Sequence, residues 1–339
     1  MVKKTLAYIN TYNRTDTTLP LAILSVINQT HKPDALIIFD DNTEFKNPLE
    51  NPVLKYILDL AMEKGIQWYW EKGQCLGAHH NHERANQMGY KLNFFIDDDH
   101  YLENGVLENL MKEMKEDVGA VGGLILKPPA TPLPNWLKSN KIDELYNGEN
   151  IQWHTWAGQP KEVEHIYSSF LYRCNIVHHD LRLSRKVFRG ETMFTHSLFL
   201  KGYKLIVTPD AITWHFESSG GCRSVEQDKT NQEMYANDEQ IFRDWLNFQR
   251  EKKKLYVLNG GLGDHYMFRQ VITPEPDSII ACCFPNAFPE YKVISIAEAE
   301  RLVDIKDYDV YAWSERNNWK GHLKDAYLKM YETLNNKRK

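Results

Sequence analysis

Two apolar runs in this chain end in adjacent carboxylates. Ala35 to Phe39 runs into Asp40-Asp41, and Leu92 to Ile96 runs into Asp97-Asp98-Asp99. Around them the pattern alternates. Lys4 to Asn10 reads as a strand, and Leu19, Ala22, Ile23, Val26 and Ile27 recur at helical spacing. Asp16, Thr17 and Thr18 are candidate caps, Pro20 suits the first turn, and His31-Lys32-Pro33 stops the helix. Val53 to Lys64 reads as a helix, Ile66 to Trp70 as a strand, Gly77 to Tyr90 as at least partly helical, Asn104 to Glu116 as a helix and Gly119 to Leu126 as a strand. Strands alternating with helices predict βαβ units and a mostly parallel sheet. In such sheets ligands sit outside the carboxyl ends of the strands, where both acidic runs fall.

Further on, KPPATPLPN (Lys127 to Asn135) breaks the rhythm, and the segment to about Lys161 carries Trp136, Trp153, His154 and Trp156. A long segment of this kind inside a compact domain is usually functional or mobile. Trp153, His154 and Trp156 are candidates to cover a ligand ring, or packing anchors. Glu164 to Val177 reads as strand, Arg189 to Gly202 as helix and Lys204 to Phe216 as a last strand. Glu217 to Asp238 reads as an irregular connector, Asp238 to Lys254 as a charged helix, and a small α/β unit follows from Leu255. The expected boundaries are 1–218, 219–254 and 255–339.

The chain has 339 residues, 42% hydrophobic, with formal net charge −5. That length suits two domains. The charge does not announce a polyanion binder, although a local basic face is compatible with it. The five cysteines have no CxxC spacing, so neither a disulfide framework nor a zinc site is expected. No signal peptide is evident, and no run approaches the roughly 20 apolar residues of a membrane helix. A cytoplasmic protein is expected.

Three clustered carboxylates repel one another unless a cation sits among them. Hard oxygen ligands suit Mg²⁺ or Mn²⁺, with substrate phosphate completing the shell. A solvated acidic turn is the plainer alternative. Asp40-Asp41 suits a hydrogen bond from a nucleotide base, or ordinary turn chemistry.

AYINTYNR, AILSVINQTHKPDALIIFDDN and FFIDDDH together resemble the family 2 glycosyltransferases of the GT-A fold. The likeness includes a Thr-Tyr-Asn-Arg stretch after the first strand, the Ser25/Gln29/Pro33 helix end, an Asp-Asp pair and a DxD-type motif, over roughly residues 3–216. It implies a nucleotide-sugar donor, UDP-sugar in the first instance, held through Mn²⁺ or Mg²⁺. It places Thr11, Tyr12 and Arg14 at the nucleotide and Asp40 or Asp41 at the base. Asp97 and Asp98 fall at the donor, and Asp99 is the direct metal ligand. His215, in the late strand, is a further metal ligand or a buried histidine. The family's late Glu-Asp pair is Glu191-Thr192 here, so the expected base is displaced, and Glu191 is the candidate catalytic carboxylate. GAHHNHERAN (Gly77 to Asn86) matches a donor-binding helix loosely. Arg84, and His79 beside it, are candidates for diphosphate or sugar contact, whereas His79, His80 and His82 lack zinc-helix spacing.

LYVLNGGLGDHYMF (Leu255 to Phe268) is a strand, a Gly-rich turn and a helix start that resembles the opening of heptosyltransferase-type GT-B enzymes. About 85 residues are too few for that architecture, so an accessory module for acceptor contact or self-association is expected. The resemblance implies an inverting transferase acting on a saccharide. A hydroxymethylated base in phage-type DNA is an alternative acceptor, because RLSRK (Arg182 to Lys186) and REKKK (Arg250 to Lys254) are basic, although such runs are usually solvated faces. A sugar nucleotidyltransferase would carry a Gly-rich phosphate loop where TYNRTDTT stands. A non-catalytic sugar-nucleotide binder would account for Thr192.

Overall fold

A computed structural model describes residues 4–45, 47–132, 141–148, 158–217, 221, 229–250, 253–258, 260–276, 278–303 and 308–312. The chain divides into two compact units, Met1–Asp244 and Trp245–Lys339.

In the first unit β1 (Thr5–Thr11), β2 (Ala35–Asp40), β3 (Gln67–Lys72) and β4 (Leu92–Asp97) run parallel in the order β3-β2-β1-β4. Helices α1 (Leu19–Ile27), α2 (Pro52–Glu63) and α3 (Ala78–Asn86) connect them. Beyond β4 come β5 (His100–Leu102), α4 (Val106–Glu113), β6 (Val118–Leu126), α5 (Ile142–Tyr146), β7 (Lys161–Val163), β8 (Phe170–Arg173), α6 (Gly190–Leu200) and β9 (Lys204–His215). The sheet continues from β4 as β8-β6-β9-β5, with β7 also on β9. β8 is antiparallel to both its neighbours, so the sheet is mixed but mainly parallel. This is the expected α/β architecture of the GT-A kind.

The apolar runs are nearly continuous because both faces of the sheet are covered. Ala7, Ile9, Leu36, Ile38, Phe94 and Ile96 pack with α1, α2 and α4 on one face. Leu6, Tyr8, Ile37, Phe39 and Phe95 pack with Ala85, Phe194 and Leu198 on the other. Each fully buried Leu, Ile or Phe among them is worth about 1.5–3 kcal/mol. Gln29 bolts two helices together. Its Nε2 donates to the carbonyls of Ser25 (3.0 Å) and Glu103 (2.9 Å), and its Oε1 accepts from Leu107 N (2.9 Å).

Several local expectations are corrected. Thr18 is the N-cap of α1 but makes no side-chain cap bond, and Asp16 instead accepts from Asn51 Nδ2 at 2.9 Å. The strand expected over Glu164 to Val177 is confined to Phe170–Arg173. The left-handed Ser168 (φ 66°) and Asn175 (φ 60°) flank that short strand, a conformation unlike the extended backbone a strand requires. The charged helix, here α7, already begins at Lys229 and ends at Arg250, because its Gln- and Asn-rich start still forms helix. His100 to Leu102 forms an unexpected strand by pairing with β9.

In the second unit β10 (Lys253–Leu258), β11 (Ile279–Cys282), β12 (Lys292–Ile294) and β13 (Tyr308–Ala312) form a parallel sheet in the order β12-β11-β10-β13. The Gly-rich turn leads into α8 (Leu262–Val271), where Asp264 Oδ2 accepts from Gly261 N at 2.8 Å. Helix α9 spans Ile296–Val303.

Candidate active site

Strand β1 connects to β2 on one side and has β4 on the other, so the carboxyl ends of β1 and β4 form the switch point of the sheet. Register places Asn10 beside Asp97 and Thr11 beside Asp40. A cavity of about 360 Å³ opens there. Thr11, Tyr12, Arg14, Asp41, Asp97, Asp98, Asp99, Glu191 and His215 all line it. That volume falls within the range of small-molecule pockets.

The three aspartates have different surroundings. Asp98 is buried and accepts from Thr11 Oγ1 (2.9 Å), Tyr12 N (3.3 Å) and Arg14 Nη1 (2.6 Å). Burial pushes its carboxyl up to about 6, against the pull of Arg14. Asp98 thus spends its oxygens on holding the loop after β1. Asp97 is partly exposed, and its Oδ2 accepts from Ser168 Oγ at 2.8 Å while its backbone N donates to Ser169 Oγ at 3.1 Å. Asp99 is buried, 2.9 Å from Arg14 Nη2 and 3.3 Å from His215 Nε2. Burial alone would raise its carboxyl, but the hydrogen bond with His215 and the Arg14 charge outweigh it and hold the group below its usual range.

Pairing of β5 with β9 sets His100 opposite His215, and Asp99, His100 and His215 bring one ligand atom each within 4.8 Å of one another. His100 also bonds Ser169 Oγ through Nδ1 at 2.7 Å, and burial lowers its imidazole to about 4, so it is neutral at pH 7. A carboxylate beside two imidazoles fits a divalent ion, and the mixed oxygen–nitrogen set favours Mn²⁺ over the all-oxygen preference of Mg²⁺.

Asp40 and Arg84 are not among the lining residues. Asp40 Oδ1 accepts from Asn42 N (3.0 Å) and Asn42 Nδ2 (2.6 Å), which shapes the turn after β2. Asp41 does line the cavity, and its Oδ1 accepts from Cys75 N at 2.8 Å and Asn81 Nδ2 at 3.2 Å. Arg84 fastens α3 to β3, with Nη2 2.5 Å from Glu71 Oε2 and Nη1 3.0 Å from the Lys72 carbonyl. His79 is fully buried away from the cavity, whereas His82 lines it and bonds Tyr8 OH through Nδ1 at 2.9 Å.

Glu191 sits in the first turn of α6 and faces the cavity, while Thr192 is buried and does not line it. Trp153, His154 and Trp156 lie outside the described residues.

Sequence reasoning missed Ser168, Ser169, Lys186, Val187 and Gly221. RLSRK is a solvated face in part: Arg182, paired with Asp180 at 2.5 Å, and Arg185 are exposed, whereas Lys186 is buried on the cavity wall. In REKKK, Lys254 pairs with Glu275, and residues 251 and 252 lie outside the described residues. A basic run in sequence says nothing of which lysine turns inward.

The architecture and its switch-point cavity define an α/β domain of the GT-A fold. Among solved structures, GalNAc-T7 with UDP, GalNAc and Mn²⁺ matches with TM-score 0.50 at 13% identity, over 73% of this chain and 49% of that one. S. aureus TarS 1-349 in complex with UDP-GlcNAc matches with TM-score 0.48 at 14% identity, over 72% of each chain. S. aureus TarS 1-349 matches with TM-score 0.44 at 14% identity, over 63% of this chain and 60% of that one. The chain thus spans 60–72% of TarS 1-349 and about half of GalNAc-T7. No curated protein matches the chain in sequence. Residues 7–177, just over half of the chain, match the family model "Glycosyl transferase family 2", and the chain belongs to that family. Among the described residues no helix is long and apolar enough to cross a membrane.

Proposed function

We propose that the protein moves a sugar from a nucleotide-sugar donor to an acceptor hydroxyl, with a divalent cation and with inversion at the anomeric carbon. The observation that carries this reading is the convergence of Asp41, Asp97, Asp99, His215 and Glu191 on one cavity at the sheet's switch point. Asp41 keeps Oδ2 for a base N–H, because Oδ1 is occupied by Cys75 and Asn81. Asp97, which is partly exposed, faces the ribose. Asp99 and His215, with His100 beside them, hold the cation, which when bound neutralises charge on the departing diphosphate.

Glu191 takes the proton of the acceptor hydroxyl. The freed oxygen bonds to the anomeric carbon, and the bond from that carbon to the diphosphate oxygen breaks. Its electron pair leaves with the nucleoside diphosphate. Thr192 is buried and offers no carboxylate, and Glu191 is the acidic residue of the first turn of α6. The acceptor is a saccharide, and of the basic stretches that pointed to nucleic acid Lys186 is buried and Lys254 pairs with Glu275. Residues 255–339 serve acceptor contact or self-association.

The test is release of free nucleotide from a panel of sugar nucleotides, with Mn²⁺ and with chelator. Slow, metal-dependent hydrolysis of one donor is expected. A protein that neither hydrolyses nor binds any of them would overturn the reading.

A further inference from the structure

Ser168 is buried and left-handed, at φ 66°, a conformation serine adopts uncommonly. Its hydroxyl sits between two partners. Ser168 Oγ donates to Asp97 Oδ2 at 2.8 Å and lies 3.3 Å from His100 Nε2. The next residue makes a second link. Ser169 Oγ accepts from Asp97 N at 3.1 Å and lies 2.7 Å from His100 Nδ1. The His100 ring is fully buried. Two serines thus join that ring to the carboxylate and to the backbone of one aspartate.

Counting hydrogens assigns each bond its direction. A hydroxyl has one hydrogen to give. That of Ser168 goes to Asp97, so Ser168 meets Nε2 only as an acceptor, and Nε2 carries a hydrogen. Ser169 already accepts from Asp97 N, and its own hydrogen goes to Nδ1. A neutral imidazole has one ring nitrogen with a lone pair. Here that nitrogen is Nδ1, and Ser169 occupies it. The opposite tautomer would turn a lone pair on Nε2 toward Ser168 Oγ and toward Asp97 Oδ2, 3.6 Å away.

Asp99, His100 and His215 lie close enough together to share an ion, yet this count leaves His100 no electron pair to offer one. Its ring packs against that of His215 instead, with centroids 4.7 Å apart and planes at 64°. Asp97, by contrast, needs holding. It lines the cavity with a third of its side chain exposed, and the bond from Ser168 ties its carboxylate to the protein. We propose that His100 is a positioning residue and not a cation ligand: through Ser168 it fixes the carboxylate of Asp97 toward the nucleotide donor, an inference that rests on the nucleotide-sugar reading above.

The experiment is calorimetric titration of the full-length protein, with Mn²⁺, by a panel of nucleoside diphosphates. Ser168→Gly removes the hydroxyl and suits the left-handed backbone, and it should weaken the best binder about tenfold, the size of one hydrogen bond. His100→Gln should do the same. Ser168→Asn, which tolerates the same backbone and keeps a donor, should recover part of the loss. In an Asp97→Asn background Ser168→Gly should cost nothing further. At saturating diphosphate the Mn²⁺ affinity of His100→Gln should stay within about twofold of wild type, whereas a lost ligand would cost more than the roughly 10–100-fold of an outer-shell partner. Thermal unfolding checks that the variants fold, and Ser168→Gly carries the donor test should His100→Gln not. ¹⁵N NMR of the histidine-labelled, metal-free protein should show His100 with its hydrogen on Nε2. A hydrogen on Nδ1, a tenfold or greater loss of Mn²⁺ affinity in His100→Gln, or a further loss from Ser168→Gly beside Asp97→Asn overturns this inference alone. So does unchanged diphosphate affinity in Ser168→Gly. A wild type that binds no nucleoside diphosphate overturns the nucleotide-sugar reading and this inference together.

Discussion

Arg14 Nη2 lies 2.9 Å from Asp99 Oδ2 while Nη1 of the same guanidinium lies 2.6 Å from Asp98 Oδ1. One cation thus neutralises two adjacent, buried carboxylates, and the loop after β1 is folded back onto the end of β4 by that pairing. Arg14→Ala leaves both charges without it. The expected loss of stability is about 3–5 kcal/mol, the cost of orphaning a buried charge. Urea unfolding without metal measures it, and Mn²⁺ should restore part of the loss by supplying positive charge at Asp99. A variant as stable as wild type would show that the pairing contributes nothing.

Asp99 reaches both His215 and Arg14, so it is central to the proposed cation site. Asp99→Asn should lower Mn²⁺ affinity by more than the roughly 10–100-fold known for loss of an outer-shell partner. Calorimetric titration with Mn²⁺ and nucleoside diphosphate reads this directly. Undiminished Mn²⁺ affinity would move the cation elsewhere in the cavity.

Glu191→Gln keeps the shape of the first turn of α6 and removes the proton acceptor. Turnover should fall about 10²–10⁴-fold. Donor affinity should hold within about twofold, since the proposed role is confined to the acceptor. If turnover persists, another group takes the proton.

Gly73 is pressed against Asp41. A Cβ there would lie 2.2 Å from Asp41 Oδ1 and 3.1 Å from its Cα. Gly73→Ala should therefore displace the carboxylate from Cys75 N and Asn81 and weaken donor binding about tenfold, the size of one good hydrogen bond. Titration with the nucleoside alone should show the same deficit, because the damage lies at the base.

Acid should destabilise the first unit through its buried histidines. Burial holds His79 at about 4, and it holds His179, stacked 3.9 Å from Phe194, well below the ordinary value. The unfolded chain binds their protons near pH 6.5 and the folded chain does not, so stability rises with pH across this window. It is fully present above about pH 6.5 and is lost as pH falls toward 4. His79 alone accounts for a loss on the order of 3 kcal/mol. Denaturation midpoints at pH 7.5, 6, 5 and 4 measure the trend. A flat profile with His79→Gln and His179→Gln behaving like wild type would contradict it.

The sequence by itself determined the parallel β1–β4 framework, because apolar period and breaker residues are local signals. It also identified where the acidic strand ends would meet, since strand order in a βαβ sheet puts those ends on one edge. Thr11, Tyr12, Arg14, Asp41 and Asp97 to Asp99 were legible for that reason. The roles within the aspartate triplet were not. Asp98 turns to Thr11 and Arg14, and Asp99 turns to a histidine 116 residues away, which becomes a neighbour through the β5–β9 pairing. Asp40 and Arg84 read as site residues, yet hydrogen bonds to Asn42, Glu71 and Lys72 draw them into the framework. Lys186 read as part of a solvated basic run, and only the tertiary structure decided otherwise. The loop that carries it is bonded at Ser184 and Phe188 to Asp238, 52 positions beyond Lys186, and a carboxylate that far away leaves no local signature in the residues it holds.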